Sequence, residues 1–146
     1  MIAVDTNILI YAHREDSPWH GKALAVVTDL ANSGSPWAIP WPSVHEFLAI
    51  ATHPKIYDPP TPVATALAAV EAWQASPGLR LLGEGPGYLE KLAAQVMAGR
   101  IKGPKVHDAR IAAICLHHQV KKLWSADRDF SSFPELTCEN PLIGKA

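Results

Sequence analysis

Ile2-Ala3-Val4-Asp5-Thr6-Asn7-Ile8-Leu9-Ile10-Tyr11-Ala12 is the stretch on which the fold turns. Three apolar residues read as a strand, Asp5 follows them, and Ile8, Leu9 and Ala12 then recur at helical spacing. The same alternation runs through the chain. Trp37-Ala38-Ile39 reads as a second strand, ended by Pro40 and Pro42, and Ser43 to Thr52 reads as a helix with Val44, Phe47, Leu48 and Ala51 on its apolar face. Leu79 to Leu82 and Leu123-Trp124 read as short strands, and Leu136 to Cys138 as an edge strand. Further helices are expected from His20 to Ala31, with Ala23, Leu24, Val27 and Leu30 on one stripe and Gly34 as the stop, and from Tyr88 to Ala98, ended by Gly99. Another runs to Trp73 from a Thr61 cap with Pro62 at its first position, and another covers Val106 to His118. Helices between strands imply an α/β fold in which a central parallel sheet carries helices on both faces.

That topology gathers four acids. In open parallel sheets ligands collect at the carboxyl ends of the strands. Asp5 and Asp127 each follow a strand and lie on that rim, while Glu46 and Asp108 lie near the starts of helices that begin on it. Each acid alone has a structural explanation. Asp5 can cap the helix after it, Ser43 and Glu46 fit a capping box, Asp108 suits a helix N-terminus, and Asp127 suits the turn Ser125-Ala126-Asp127-Arg128. Together they conflict, because two carboxylates about 4 Å apart repel by about 4 kcal/mol at an effective dielectric near 20. A divalent metal removes the conflict, and hard carboxylate oxygens suit Mg²⁺, with Mn²⁺ as a substitute. Neither Cys-x-x-Cys nor a helical His-x-x-x-His pair is present to favour a softer metal.

Composition sets the outer limits. At 146 residues, 48% hydrophobic and 18% charged, residues 1–146 are expected to form one soluble globular domain with a full core. The longest apolar run, Ile111 to Leu116, is too short to span a bilayer, and Asp5 comes too early for a secretory hydrophobic region. Two cysteines give no disulfide framework, so a cytoplasmic setting is expected, with Cys115 a small buried hydrophobe. The net charge of −1 disfavours a surface that coats nucleic acid non-specifically. A local basic stretch remains: Arg100, Lys102, Lys105 and Arg110 stand against the single acid Asp108, either as a solvated loop or as a substrate path. His45 and His107 precede key acids and should point about a quarter-turn away from them, in structural roles, with His107 still able to reach a substrate. The glycines of Gly83-Glu84-Gly85-Pro86-Gly87 lack the Lys-Ser/Thr of a phosphate cradle.

With these residues in hand, the sequence resembles the PIN-domain family, and in particular its VapC-type toxins. Asp5-Thr6-Asn7-Ile8-Leu9-Ile10-Tyr11 resembles the opening D-T/S-N-x-L-x-Y motif, and Glu46-Phe47 the E-F/L helix motif. Asp108-Ala109-Arg110-Ile111-Ala112-Ala113 resembles D-A-x-x-A-A, and Ser125-Ala126-Asp127-Arg128-Asp129-Phe130 resembles T/S-x-D-x-D-F. The four motifs stand in order over residues 1–130. The resemblance implies a PIN-like three-layer sandwich and a Mg²⁺-dependent endoribonuclease that inhibits translation and is restrained by a VapB-type antitoxin. It places Asp5, Glu46, Asp108 and Asp127 in the catalytic, metal-binding quartet, Asp129 as an accessory acid, and Thr6, Asn7 and Ser125 as residues that position the acids. Ser125 stands where Thr is common and keeps the hydroxyl. A homodimer or a toxin–antitoxin hetero-oligomer follows from family habit.

Two rival classes are separable. A phosphoacceptor receiver domain wants an acidic pair at the first strand and a Lys after the last, whereas Asp5 stands alone and Lys121-Lys122 precede Leu123-Trp124. A non-catalytic RNA- or protein-binding PIN-like module would keep the fold and lose an acid, and all four are present.

Overall fold

A computed structural model describes residues 1–143, apart from the side chains of Arg128 and Asp129. Five short strands form one sheet: β1 (Ile2–Val4), β2 (Trp37–Pro40), β3 (Leu79–Leu82), β4 (Lys122–Trp124) and β5 (Thr137–Glu139). Their order is β3-β2-β1-β4-β5 and every pairing is parallel. The helices are α1 (Thr6–His13), α2 (His20–Ala31), α3 (Trp41–Ala51), α4 (Val63–Gln74), α5 (Tyr88–Ala98) and α6 (Val106–His117).

Strand pleating divides the core. Ala3, Ala38 and Leu123 face one way and pack with Ile111, Ile114 and Cys115 of α6 and with Phe130 and Phe133. Val4, Trp37 and Ile39 face the other way and pack with Ile8 and Leu9 of α1, Val27 of α2 and Phe47 of α3. Successive strand side chains point to opposite faces, so a strand of three or four residues buried on both sides must be apolar throughout. This explains the uninterrupted runs in the sequence. Burial also lifts the Cys115 thiol to about 12, which makes it inert packing.

The strand order positions the site. From β1 the chain builds outward through β2 and β3 on one side, then crosses to β4 and β5 on the other. The switch in direction falls between β1 and β4, and the crevice beyond their carboxyl ends is where such sheets receive ligands. Asp5 directly follows β1, and Ser125 and Asp127 follow β4.

Local boundaries differ from the sequence reading in instructive ways. Strand β2 runs through Pro40, and α3 begins at Trp41 with Pro42 in its first turn, where a missing N–H is tolerated. Ser43 is therefore inside the helix and fully buried, and the expected capping box with Glu46 does not form. Pro62 takes the N-cap position of α4 in place of Thr61. The Thr61 hydroxyl is used elsewhere: it lies 3.1 Å from His13 Nε2 and accepts from Arg14 Nη1 at 3.3 Å. Strand β5 is displaced by one residue, and His118 caps α6 rather than extending it. Leu24 leaves the expected stripe of α2 and is 46% exposed. Among the described residues no helix is long and apolar enough to cross a membrane.

Candidate active site

Asp5 forms the floor of the site. It sits where β1 ends and α1 begins, with only 6% of its surface exposed. Its Oδ1 accepts the Thr6 amide at 2.8 Å, so the capping role expected of it is real. Its Oδ2 accepts the Ser125 hydroxyl at 2.8 Å, and the Ser43 hydroxyl makes a longer contact to Oδ1 at 3.5 Å. Burial pushes the Asp5 carboxyl up to about 6, the bonds from Thr6 and Ser125 oppose this, and the charges of Glu46 and Asp108 add to it.

Ser125 ties the floor together. A hydroxyl has one donor and two acceptor positions, and all three are engaged. It donates to Asp5 and accepts from Asn7 Nδ2 at 3.0 Å and from the Asp127 amide at 3.0 Å. Asn7 completes the link, because its Oδ1 accepts the Ala126 amide at 3.0 Å. The first turn of α1 is thereby fastened to the loop that carries Asp127, across more than 115 residues of sequence. Among the described residues no buried side-chain nitrogen or oxygen lacks a partner.

The walls are looser. Glu46 is exposed on α3, two residues further into that helix than expected, and its Oε2 accepts the Thr6 hydroxyl at 3.2 Å. Asp108 is half-buried in the first turn of α6. Asp5, Glu46, Asp108 and Asp127 line one cavity of about 550 Å³, together with Thr6 and Asn7. His45, His107 and Arg110 line it too. The sequence reading gives both histidines structural roles and leaves His107 able to reach a substrate, and both line the cavity. The cavity is wide enough to take in Thr6, His45 and His107, the chain neighbours of Asp5, Glu46 and Asp108, as well as the acids themselves. Ser43 is a contact to Asp5 that the sequence reading assigns only to a capping box. Trp41, 39% exposed, stacks on His45 with ring centroids 6.0 Å apart.

The basic stretch divides. Arg110 reaches the cavity and pairs with Glu84 at 2.6 Å, which holds the Glu84 carboxyl below its ordinary value. Lys105 donates to Ser132 Oγ at 2.9 Å, and Arg100 and Lys102 are exposed. These three are not among the residues that line the cavity. The Asp129 side chain lies outside the described residues.

The donors present decide which metal the cavity suits. Among the described residues no three His, Cys, Asp or Glu side chains close around a common point as they stand. Mg²⁺ does not require such a cage, since it keeps several waters and is usually held by one or two carboxylates. Asp5 on a fixed floor, with Glu46 and Asp108 near enough to raise its pKa, is a donor set that fits a partly hydrated Mg²⁺ or Mn²⁺.

Comparison with known proteins identifies the family. The PIN-domain family model matches residues 2–136. Ribonuclease VapC48 of Mycobacterium tuberculosis is 30% identical over 141 residues, covering 96% of this chain and 97% of its own length. Ribonuclease VapC43 of the same organism is 33% identical over 148 residues, covering 99% and 98%. The crystal structure of VapBC2 from Rickettsia felis, bound to a DNA fragment from their promoter, shares the fold with a TM-score of 0.69 at 17% identity, over 96% of this chain and 98% of that one. The chain belongs to the PIN-domain family, among the VapC-type ribonucleases.

Proposed function

We propose that this protein is a Mg²⁺-dependent endoribonuclease whose catalytic and metal-binding residues are Asp5, Glu46, Asp108 and Asp127. The observation that carries the proposal is the convergence of these four acids, from four separate elements, on one cavity. A bound divalent ion there supplies Lewis acidity, polarising a phosphodiester and lowering the pKa of a water.

The chain's own residues do the rest. Thr6 and Ser125 hold Asp5 in one orientation, and Ser125 and Asn7 fix the loop that bears Asp127. Glu46, exposed and held among the described residues through the Thr6 hydroxyl, is able to adjust as substrate arrives. His45 and His107 stand at the wall, where an imidazole can hydrogen-bond an oxygen of the substrate. Arg110 offers a guanidinium to the RNA backbone, with Arg100, Lys102 and Lys105 forming the approach.

By analogy with the toxin–antitoxin pair VapBC2, the proposal extends to a VapB-type antitoxin that silences the enzyme, within a hetero-oligomer. The rim is negative without metal, so a partner's Arg or Lys would compete with Mg²⁺ for the same oxygens. The test is thermal. Mg²⁺ at about 100 times its Kd should stabilise the fold by about 2.7 kcal/mol, and Asp5→Asn should blunt that response. Equal shifts in wild type and variant would remove this rim as the metal site.

A further inference from the structure

The acidic cavity accounts for cutting a phosphodiester but not for what holds the RNA beside it. Just outside the cavity stands an aromatic ring that the core does not use. Trp41 opens α3 and is 39% exposed, whereas Trp37, only four residues earlier, is fully buried. One helical turn on, His45 lies beneath the indole at 6.0 Å with the planes 26° apart, and His45 lines the cavity. The indole is also backed by the chain at Gly83, where an added Cβ would lie 3.5 Å from Trp41 Cδ1. The Gly83 carbonyl is within 2.8 Å of His118 Nε2, which anchors that loop to the end of α6. The ring is thus supported by an imidazole and by a backbone segment, and a substantial part of it meets solvent.

A cation stands close by. The residue after Gly83 is Glu84, and it pairs with Arg110 through the guanidinium Nε. Arg110 in turn lines the cavity that holds the acids. A guanidinium has four further N–H groups on its two outer nitrogens, suited to phosphate oxygens. Ring and cation are thus linked through the Gly83-Glu84 segment, and the cation lines the same cavity as the acids.

We propose that Trp41, stacked on His45, is a platform for an unpaired nucleobase of the RNA, with Arg110 meeting the adjoining phosphate. The proposal rests on the nuclease reading and deepens it, because it names the class of substrate. An aromatic plane accepts a base only when that base is unstacked from its own helix, so the segment bound here is single-stranded. The linked groups favour RNA over an antitoxin helix at this spot: His45 backs the ring, and Glu84, next to the Gly83 that also backs it, holds a guanidinium suited to phosphate.

The experiment compares wild type, Trp41→Ala and Trp41→Phe on a single-stranded RNA and on the same sequence in a full duplex, with Mg²⁺. Base–aromatic stacking lost to alanine should raise KM for the single strand about five- to hundredfold, with kcat nearly unchanged. Trp41→Phe keeps a ring and should stay within a few-fold of wild type. The duplex should be a poor substrate that responds to neither change. In parallel, r(A)8 with Ca²⁺ in place of Mg²⁺ should quench tryptophan fluorescence in wild type, and Trp41→Phe should lose a measurable share of that quench. Trp41→Phe preserves this second readout if the alanine variant fails to fold. Cleavage by wild type and both variants with one KM, together with equal quenching, would overturn the platform and leave the nuclease reading standing. Trp41-dependent quenching in a protein that cuts no RNA would support the platform and sink the nuclease reading. Unchanged RNA kinetics in a Trp41→Ala variant that binds a VapB-type antitoxin more weakly would reassign the ring to the protein partner and overturn the proposal.

Discussion

The floor and the walls of the acidic cavity are built on opposite plans. On the floor, Asp5, Asn7 and Ser125 form a closed set of bonds in which each atom of the Ser125 hydroxyl is used and Asp5 is nearly out of water. On the walls, Glu46 and His107 are exposed, Asp108 and Arg110 are half-exposed, and Glu46 is joined to the floor by one bond at 3.2 Å. The floor carries a buried charge in a fixed place, and the walls carry charges nearer to solvent. A catalytic site needs both: one group whose position does not depend on the substrate, and others that close around it.

The largest expected effect breaks the floor at its centre. Asp5→Asn keeps the shape and the helix cap but removes the fixed anion. A metal's transition-state stabilisation is worth several kcal/mol, so kcat/KM for RNA should fall about 10³-fold or more. Activity within tenfold of wild type, measured on the same RNA, would mean that Asp5 is only a cap.

Ser125→Ala should come next. It strips partners from Asp5, Asn7 and the Asp127 amide at once. Stability should drop by about 2 kcal/mol, and activity should fall about 10- to 100-fold, as when groups that orient metal ligands are removed. Ser125→Thr restores the hydroxyl and should return both to near wild type. If alanine and threonine behave alike in melts and in assays, the floor is not held by this hydrogen-bond set.

The smallest effect lies in the pH dependence of the metal-free protein. Asp5 in the fold is raised from 3.8 to about 6, so between those values the folded state holds more proton than the unfolded one. Stability contributed by Asp5 is therefore lost as pH rises from about 4 to about 6, by up to about 3 kcal/mol, and does not return above it. Subtracting the melting curves of Asp5→Asn from those of wild type isolates this slope. At pH 7 without metal the variant should be the more stable by about 2 kcal/mol, after about 1 kcal/mol for a weakened bond to Ser125. A difference that is flat with pH, or of opposite sign, would show that the floor does not strain Asp5.

The same contrast explains what the sequence disclosed. Strands with both faces buried wrote themselves as apolar runs, and Asp5-Thr6-Asn7 and Ser125-Ala126-Asp127 stood at their ends, so the floor was visible as local pattern. The walls depended on distant geometry. The start of α3 was misplaced because Pro40 and Pro42 look like a break, although a proline in a first helical turn costs little. Moving that start to Trp41 sends Ser43 toward Asp5 and carries Trp41 and His45 to the cavity mouth. Thr61 resembled a cap because its partners, His13 and Arg14, lie more than 45 residues away. The order of the strands, which creates the crevice between β1 and β4, is a property of packing that no single segment spells out.

The most direct test of the central claim is the metal dependence and end chemistry of RNA cleavage. End-labelled single-stranded RNA is incubated with the wild-type protein in excess EDTA, and then with Mg²⁺ restored. The expected result is no cleavage in EDTA, cleavage on adding Mg²⁺, and products ending in 5′-phosphate and 3′-hydroxyl. Cleavage that continues in EDTA and leaves 2′,3′-cyclic phosphate would contradict it, because the ribose hydroxyl would then be the nucleophile and the four acids would not be holding a metal.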